Sequence, residues 1–580
     1  MPQVKYGSDL IVDLLKLYEI EYASLNPGST FRGLHDSLVN YGGNKKPELI
    51  ECTHEEIAVA MAHGYAKACG KPMVSILHNV VGLLHGAMAI YYAWLDRAPA
   101  IILGATGPMD ASRRRPRIDW IHTAVLQGNA IRDYVKWDDQ PFSADAVPDS
   151  FARAYRVALT EPQGPVYVCY DVGFQEDPLP HEVPLPNPER LAVPPPMQGD
   201  LDALQRAAAM LAEAEHPVVL TEYLGRAPKT VASLVELAEL LALPVVDLNG
   251  RFNFPNTHPL CLTGTDVLER ADVILALDVK DLYGPLTRLD RSTRRTEYRI
   301  PKGSRIIDLG LRDLDIQGWS QEFMKLQEVD LPILGDSAAA VPQLLAFCRE
   351  ALARRPARQE AVRQRFAAMK ALHEATWQRW QEQARRDWDA QPMTTARLAS
   401  EVWGVLQEED WVLTANTLED WCRRLWTFDR PYRHPGRSLG TATQIGIALG
   451  VALAHRGTGR LVVDIQPDGD LLFDASALWI ATHHQIPLLV VMYNNRAYYN
   501  DWEHQIRIAK SRGTPEANAY IGMELDNPAP DFAGLARAFG WYAEGPILDG
   551  REVRPALERA IKVIKTEGRP ALIDTVTQFR

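Results

Sequence analysis

A chain of 580 residues, 46% hydrophobic and 23% charged, has apolar material for several cores and, at roughly 150 residues per domain, length for three or four domains. Its formal net charge of −12 argues against nucleic acid as a general partner, because an acidic surface repels a phosphate backbone. No apolar run approaches the ~20 residues that span a bilayer, so no membrane partner is expected.

In chain order, the N-terminal stretch MPQVKYGSDLIVDLLKLYEIEY carries acids among its apolar residues and reads as an amphipathic helix rather than a signal peptide. Six scattered cysteines without a CxxC pair read as free thiols of a reducing compartment, and a cytoplasmic protein is expected. Short apolar runs then recur as buried strands: 72–78, 98–105 and 165–171, later 216–222 and 271–278, finally 460–466 and 486–494. Helical stretches such as EEIAVAMAHGYAKACG separate them. The proline-rich run 177–196 reads as an extended linker, and 352–392 as a second break, mostly a charged, Trp-containing helical stretch up to Pro392. The alternation predicts an α/β protein of three doubly wound domains with parallel sheets, at 1–180, 195–350 and 393–580. Ligands in such sheets sit at the carboxyl ends of strands.

The most informative stretch is 460–499. A strand runs into a turn, Pro467-Asp468-Gly469-Asp470; a helix and a second strand follow, ending in Asn494-Asn495-Arg496-Ala497. Both turns close the same βαβ unit, so their loops can meet at one sheet edge. Asp carboxylate, Asn carboxamide and a free backbone carbonyl form an oxygen donor set that suits Mg²⁺. This segment resembles the GDG…NN motif of thiamine-diphosphate enzymes, Asn495 following Asp468 by 27 residues. The resemblance implies thiamine diphosphate and Mg²⁺ as cofactors. Asp468, Asn495 and the Ala497 carbonyl would be metal ligands, and Gly469, Asp470 and Asn495 would lie against the cofactor. The chain departs from the motif at Pro467, where the family has glycine.

The stretch CTHEEIAVAMAHGYAKACGKP resembles the family's helix in which a glutamate precedes GYA; counting back nine from Gly64 gives Glu55. Glu55 would hydrogen-bond N1′ of the aminopyrimidine and activate the cofactor. HPGRSLGTATQIGIALG resembles the turn that cradles the pyrimidine, with Gly440, Thr441 and Ala442 as neighbours. The family's bulky apolar support for the bent cofactor has no evident counterpart; Ala442 lies nearest by a gapped match. Tyr498, Tyr499 and Trp502 are candidate walls of a substrate cavity, and His483-His484 read as helix-terminal residues favoured by the dipole.

Over its whole length the chain most resembles the benzoylformate decarboxylase and acetolactate synthase branch. The loop LNPGSTFRGL and Leu77-His78 lean to the decarboxylase: Ser29 matches a substrate-contacting serine, and His78, 23 residues beyond Glu55, matches a proton-relaying histidine. His122 falls where the family often has a polar residue facing the cofactor. The decarboxylase's second catalytic histidine has no counterpart near 279–286. The resemblance implies a 2-oxo acid decarboxylase or lyase that forms an enamine on the cofactor and releases an aldehyde, in a homodimer or homotetramer whose site is shared between subunits. Two alternatives stand beside it: an acetolactate synthase-like carboligase, and a cofactor-binding protein without catalysis.

Overall fold

The computed structural model describes residues 5–314, 322–437 and 441–579. The first sheet comprises Tyr22–Leu25 (β1), Glu48–Glu51 (β2), Met73–Ile76 (β3), Ala100–Thr106 (β4), Trp137–Asp139 (β5) and Val166–Asp171 (β6), in the order β2-β1-β3-β4-β6-β5. The second comprises Pro217–Thr221 (β7), Val245–Asp247 (β8) and Val273–Leu277 (β9), a detached antiparallel ribbon of Thr287–Leu289 (β10) and Thr296–Tyr298 (β11), then Arg305–Gly310 (β12) and Leu331–Leu334 (β13); its order is β13-β12-β9-β7-β8. The third comprises Trp411–Leu413 (β14), Leu461–Pro467 (β15), Leu489–Asn494 (β16), Tyr542–Ile547 (β17) and Ala571–Val576 (β18), in the order β14-β15-β16-β18-β17.

Within each of the three sheets neighbouring strands are parallel, and the strand order crosses back on itself. The fold is therefore the expected α/β architecture of three doubly wound parallel sheets. All the apolar runs read from the sequence lie on strands. β4 and β16 are buried at every position, because helices cover both faces and leave no polar side for alternation to mark. The segment 177–196 carries no helix and only an isolated bridge from Pro178 to Tyr6. The charged stretch after it in the chain forms a long helix that stops at Ala384, well before Pro392.

Seven helices position the site or join the domains: Glu55–Cys69 (α1), Val81–Leu95 (α2), Arg358–Ala384 (α3), Gln444–Ala454 (α4), Asp468–Phe473 (α5), Ala477–His483 (α6) and Tyr499–Arg512 (α7). α1 of the first domain crosses α4 of the third at backbone distance. A Cβ on Gly64 would lie 2.1 Å from the Ile447 carbonyl oxygen, and one on Gly450 2.0 Å from that of Met61. Gly446 meets the Ala60 methyl in the same crossing. Replacing Gly450 by valine is expected to destabilise the protein by about 3 kcal/mol, since the obstructing atom is backbone and cannot swing aside. Urea unfolding followed by tryptophan fluorescence checks this, and an unchanged midpoint would refute so tight a crossing.

Two buried ion clusters tie the middle domain to the first. Asp96 accepts from His63 Nε2 at 2.7 Å and pairs with Lys67 at 2.6 Å and Arg251 at 2.7 Å. Burial alone would raise this carboxyl, but Arg251, Lys67 and His63 outweigh it and hold Asp96 well below the usual range. Arg226 joins Glu161 of the first domain at 2.9 Å to Asp278 and Asp336 of the middle domain at 2.5 and 2.6 Å.

Candidate functional site

At the carboxyl edge of the third sheet, β15 runs straight through to Pro467 and α5 starts at Asp468. The separate turn expected before the helix is absent: Pro467 is the residue preceding the first helical turn, at φ −67° and ψ 144°. Proline imposes that φ anyway, so the chain reaches the helix without the glycine of the motif. Asp468 is buried; one carboxylate oxygen accepts the Gly469 amide at 2.9 Å, and the other accepts the Ala497 amide at 3.2 Å. Asn495 Oδ1 accepts the same Ala497 amide at 3.0 Å. The two turns therefore do meet, with side-chain oxygens of Asp468 and Asn495 converging on one backbone group. Oxygen donors gathered this closely fit a hard divalent cation. Burial pushes the Asp468 carboxyl up to about 6 although the Gly469, Arg496 and Ala497 amides pull it down.

Other predicted neighbours are more varied. Asp470 directs its carboxylate to the Ala442 amide at 2.6 Å and to Gln466 Nε2 at 3.1 Å, so it braces the 441–443 turn. Ala442 sits at φ +68°, a conformation that costs a non-glycine residue about 1–2 kcal/mol. Thr441 is exposed, and its backbone hydrogen-bonds the Tyr92 phenol of α2; Gly440 lies outside the described residues. Gly469 is covered by the Tyr498 ring, 2.4 Å from where a Cβ would stand. Tyr499 stacks on Phe579 at 4.6 Å and meets Trp502, so these two aromatics pack on Phe579. His483 ends α6, and His484 Nε2 accepts the Glu51 amide at 2.8 Å, a joint between domains.

Glu55 occupies the first turn of α1, behind His54 at the cap. Its carboxylate is buried, with only 4% of the residue exposed, and lies 3.2 Å from His85 Nδ1. Gly82 leaves room for it: a Cβ there would stand 3.0 Å from Glu55 Oε1. Glu56, one residue on, points instead toward the third domain.

The predicted histidines come together. His78 Nδ1 is 2.8 Å from Thr30 Oγ1, and His78 Nε2 is 3.2 Å from His122 Nδ1. Thr30 Oγ1 also accepts the Asn79 backbone amide at 3.3 Å, which holds the hydroxyl beside His78 Nδ1. A neutral imidazole carries one ring proton, so one His78 nitrogen donates and the other accepts between these two partners. Burial, with the neighbouring His122 adding, pushes His78 down to about 4, which keeps it neutral near pH 7. His78 lies close against the loop backbone, since a Cβ on Gly28 would stand 2.5 Å from its ring. Ser29 begins the short 3₁₀ turn Ser29–Phe31 and is half-buried, while the adjacent Thr30 makes the contact to His78. Thr30, Asn79 and His85 were not singled out in the sequence. Nor were Leu418, Glu419 and Asp420, three consecutive non-glycine residues at φ 50°, 54° and 69° beyond β14. Such strain concentrates at functional sites.

Glu56, Asp470 and Asp474 form a like-charged group where α1 meets the α5–α6 link. Burial, with Asp470 adding, pushes Glu56 up to about 6; burial, with Glu56 and Asp470 adding, pushes Asp474 up to about 7. The folded state keeps the Asp474 proton up to about 7, while the unfolded chain releases it near the ordinary value of 3.8. The folded state binds more protons in that window, so this residue's effect on stability worsens as pH rises through it. Asp474→Asn is therefore expected to raise the thermal midpoint, and by more at pH 8 than at pH 5. Equal midpoints for the two proteins at pH 8 would contradict the repulsion.

Three comparisons bear on this arrangement. Residues 5–129 match the N-terminal TPP binding domain of thiamine pyrophosphate enzymes, 204–344 their central domain and 417–575 their C-terminal TPP binding domain. The benzoylformate decarboxylase of Pseudomonas aeruginosa is 26% identical, the match covering 94% of this chain and 96% of that one. The acetolactate synthase large subunit of Haemophilus influenzae is 24% identical, covering 92% and 88%. The crystal structure of benzoylformate decarboxylase from Polynucleobacter necessarius superposes with a TM-score of 0.74 at 19% identity over 99% of each chain, a likeness of fold.

Proposed function

Because the chain belongs to the thiamine pyrophosphate enzymes, we propose that it is a 2-oxo acid decarboxylase of the benzoylformate decarboxylase type, releasing an aldehyde. The observation that carries this reading is the relay Thr30–His78–His122 in the same domain as buried Glu55. Thiamine diphosphate, when bound, supplies a nucleophilic carbon and an electron sink. The residues supply position and protons. Asp468 and Asn495 would hold Mg²⁺ through side-chain oxygens, with the Ala497 carbonyl, and through it the diphosphate. Glu55, shielded from water, would exchange a proton with the aminopyrimidine nitrogen. His78, neutral at working pH, stands between Thr30 and His122 and can move a proton along that line. Ser29, at the same loop, would contact the substrate carboxylate.

A shared site between two subunits is part of the proposal. Glu55 faces Gly82 and His85 of its own domain, whereas Asp468 and Asn495 face Ala497 and Tyr498. Around both halves large apolar side chains stand exposed, among them Trp120, Ile121, Val125, Phe473 and Ile521. A second copy that buried these would join complementary halves, so light scattering should find a dimer or tetramer and an active monomer would refute the reading. Among the described residues no helix is long and apolar enough to cross a membrane.

The deciding experiment is CO₂ release from a panel of 2-oxo acids, benzoylformate and pyruvate included, with and without thiamine diphosphate and Mg²⁺, identifying the organic product. Cofactor-dependent CO₂ with an aldehyde supports the proposal. Acetolactate or another acyloin from pyruvate would select carboligation, the second reading, favoured by near-full-length similarity to acetolactate synthases. No release despite cofactor binding would favour a protein without this catalysis.

A further inference from the structure

The like-charged group at the junction of α1 and the α5–α6 link has the makings of a cation site. One ligand atom each from His54, Glu56 and Asp474 lie within 4.8 Å of one another. Metal–ligand bonds of about 2.1 Å separate ligands by at most ~4.2 Å, so small side-chain adjustments close the set. Asp474 is only 5% exposed, and its Oδ2 has no hydrogen-bond partner. Among the described residues neither Glu56 nor Asp474 pairs with a lysine or arginine, although both are taken out of water beside Asp470. A buried carboxylate without partner is costly, and a bound cation is one of the few things that can offset it. His54 is already oriented, its Nδ1 accepting the Glu56 amide at 3.2 Å. Coordination through Nδ1 would replace that amide hydrogen bond, and coordination through Nε2 would move the ring proton to Nδ1 and release the Glu56 amide as well.

We propose that His54, Glu56 and Asp474 form a second divalent-cation site, separate from the Asp468–Asn495 edge, that takes a first-row transition ion such as Zn²⁺. The donor set decides the ion: one imidazole with two carboxylates suits Zn²⁺ better than Mg²⁺, which keeps to oxygen and water. The ion would add a stitch where two others already join the same elements, Thr53 Oγ1 to Ser476 Oγ at 2.9 Å and the Glu51 amide to His484. It would thereby fix the N-terminus of α1 against the third domain. A rival trio shares His54: His54, Glu55 and His85 also have ligand atoms within 4.8 Å. Its Glu55 carboxylate already has His85 at 3.2 Å, so the unsatisfied charge lies with Asp474.

The test is equilibrium dialysis of the enzyme, loaded with thiamine diphosphate and excess Mg²⁺, against Zn²⁺, with bound zinc counted by mass spectrometry. Wild type should hold one more Zn²⁺ per chain than Asp474→Asn or Glu56→Gln, whose affinity at this site should fall ~10–100-fold or more. His85→Asn should bind as wild type does. Zn²⁺ should also raise the thermal midpoint of wild type and leave that of Asp474→Asn unmoved, which separates metal binding from any change in folding. Equal zinc in wild type and both carboxylate variants would overturn the proposal. So would loss of zinc in His85→Asn with retention in Asp474→Asn, which would put the ion on the rival trio.

Discussion

Glu55→Gln is expected to lower kcat by ~10²–10⁴-fold while leaving affinity for thiamine diphosphate nearly unchanged. Glutamine keeps the size and hydrogen-bonding reach of the side chain but cannot take up and return a proton. The position is enclosed: the residue is 4% exposed, with Gly82 leaving just the room its oxygen needs. A specific readout is the exchange of the cofactor's C2 proton with deuterium, quenched in acid and read by NMR, which should slow with kcat. The same exchange in Glu56→Gln should stay close to wild type, because Glu56 is turned toward Asp474. Normal turnover in Glu55→Gln would show that the activating carboxylate is another residue.

Asp468→Ala is expected to weaken retention of thiamine diphosphate in the presence of Mg²⁺ by ~10²-fold or more, about 3 kcal/mol. The variant removes a charged ligand together with the group that accepts both the Gly469 and Ala497 amides. It therefore disturbs the meeting of the two turns as well as the metal. Asp468→Asn separates these contributions. It can still accept a backbone amide but carries no charge, so a similar loss in Asn and Ala would assign the effect to the charge. Isothermal titration with the cofactor at fixed Mg²⁺ measures both, and affinity unchanged in Asp468→Ala would remove this residue from the metal set.

These outcomes also measure how far sequence reasoning reaches. Strand positions were readable because a sheet buried on both faces needs continuous apolar runs, and β4, β9 and β16 have them. The convergence of Asp468 and Asn495 was readable because both follow strands of one βαβ unit, a local matter of topology. Gly64 was read as part of a motif, but its physical purpose, contact with the Ile447 carbonyl, depends on a helix nearly four hundred positions away in the sequence. Thr30 was passed over in favour of Ser29, since only the pairing of β1 with β3 decides which hydroxyl reaches His78. The Glu56–Asp474 contact was invisible for the same reason: nothing local to either residue announces the other. Pro467 is the converse case. It looked like a lost glycine, yet a strand that continues into a helix needs a φ near −67° there, which proline provides.

The glycine crossing of α1 and α4 has a kinetic consequence. Where two helices meet through interlocking side chains, rotamer changes let them slide in small increments. Here the contact is backbone against backbone, with Gly64 and Gly450 each closer to a carbonyl than any side chain could be. No intermediate register exists between seated and separated, and the first and third domains must travel as one body. Loading and loss of the cofactor then find no hinge in this crossing of the first and third domains. If the site is shared between two copies as proposed, the exchange rate should follow how often those copies part, and dilution should accelerate it.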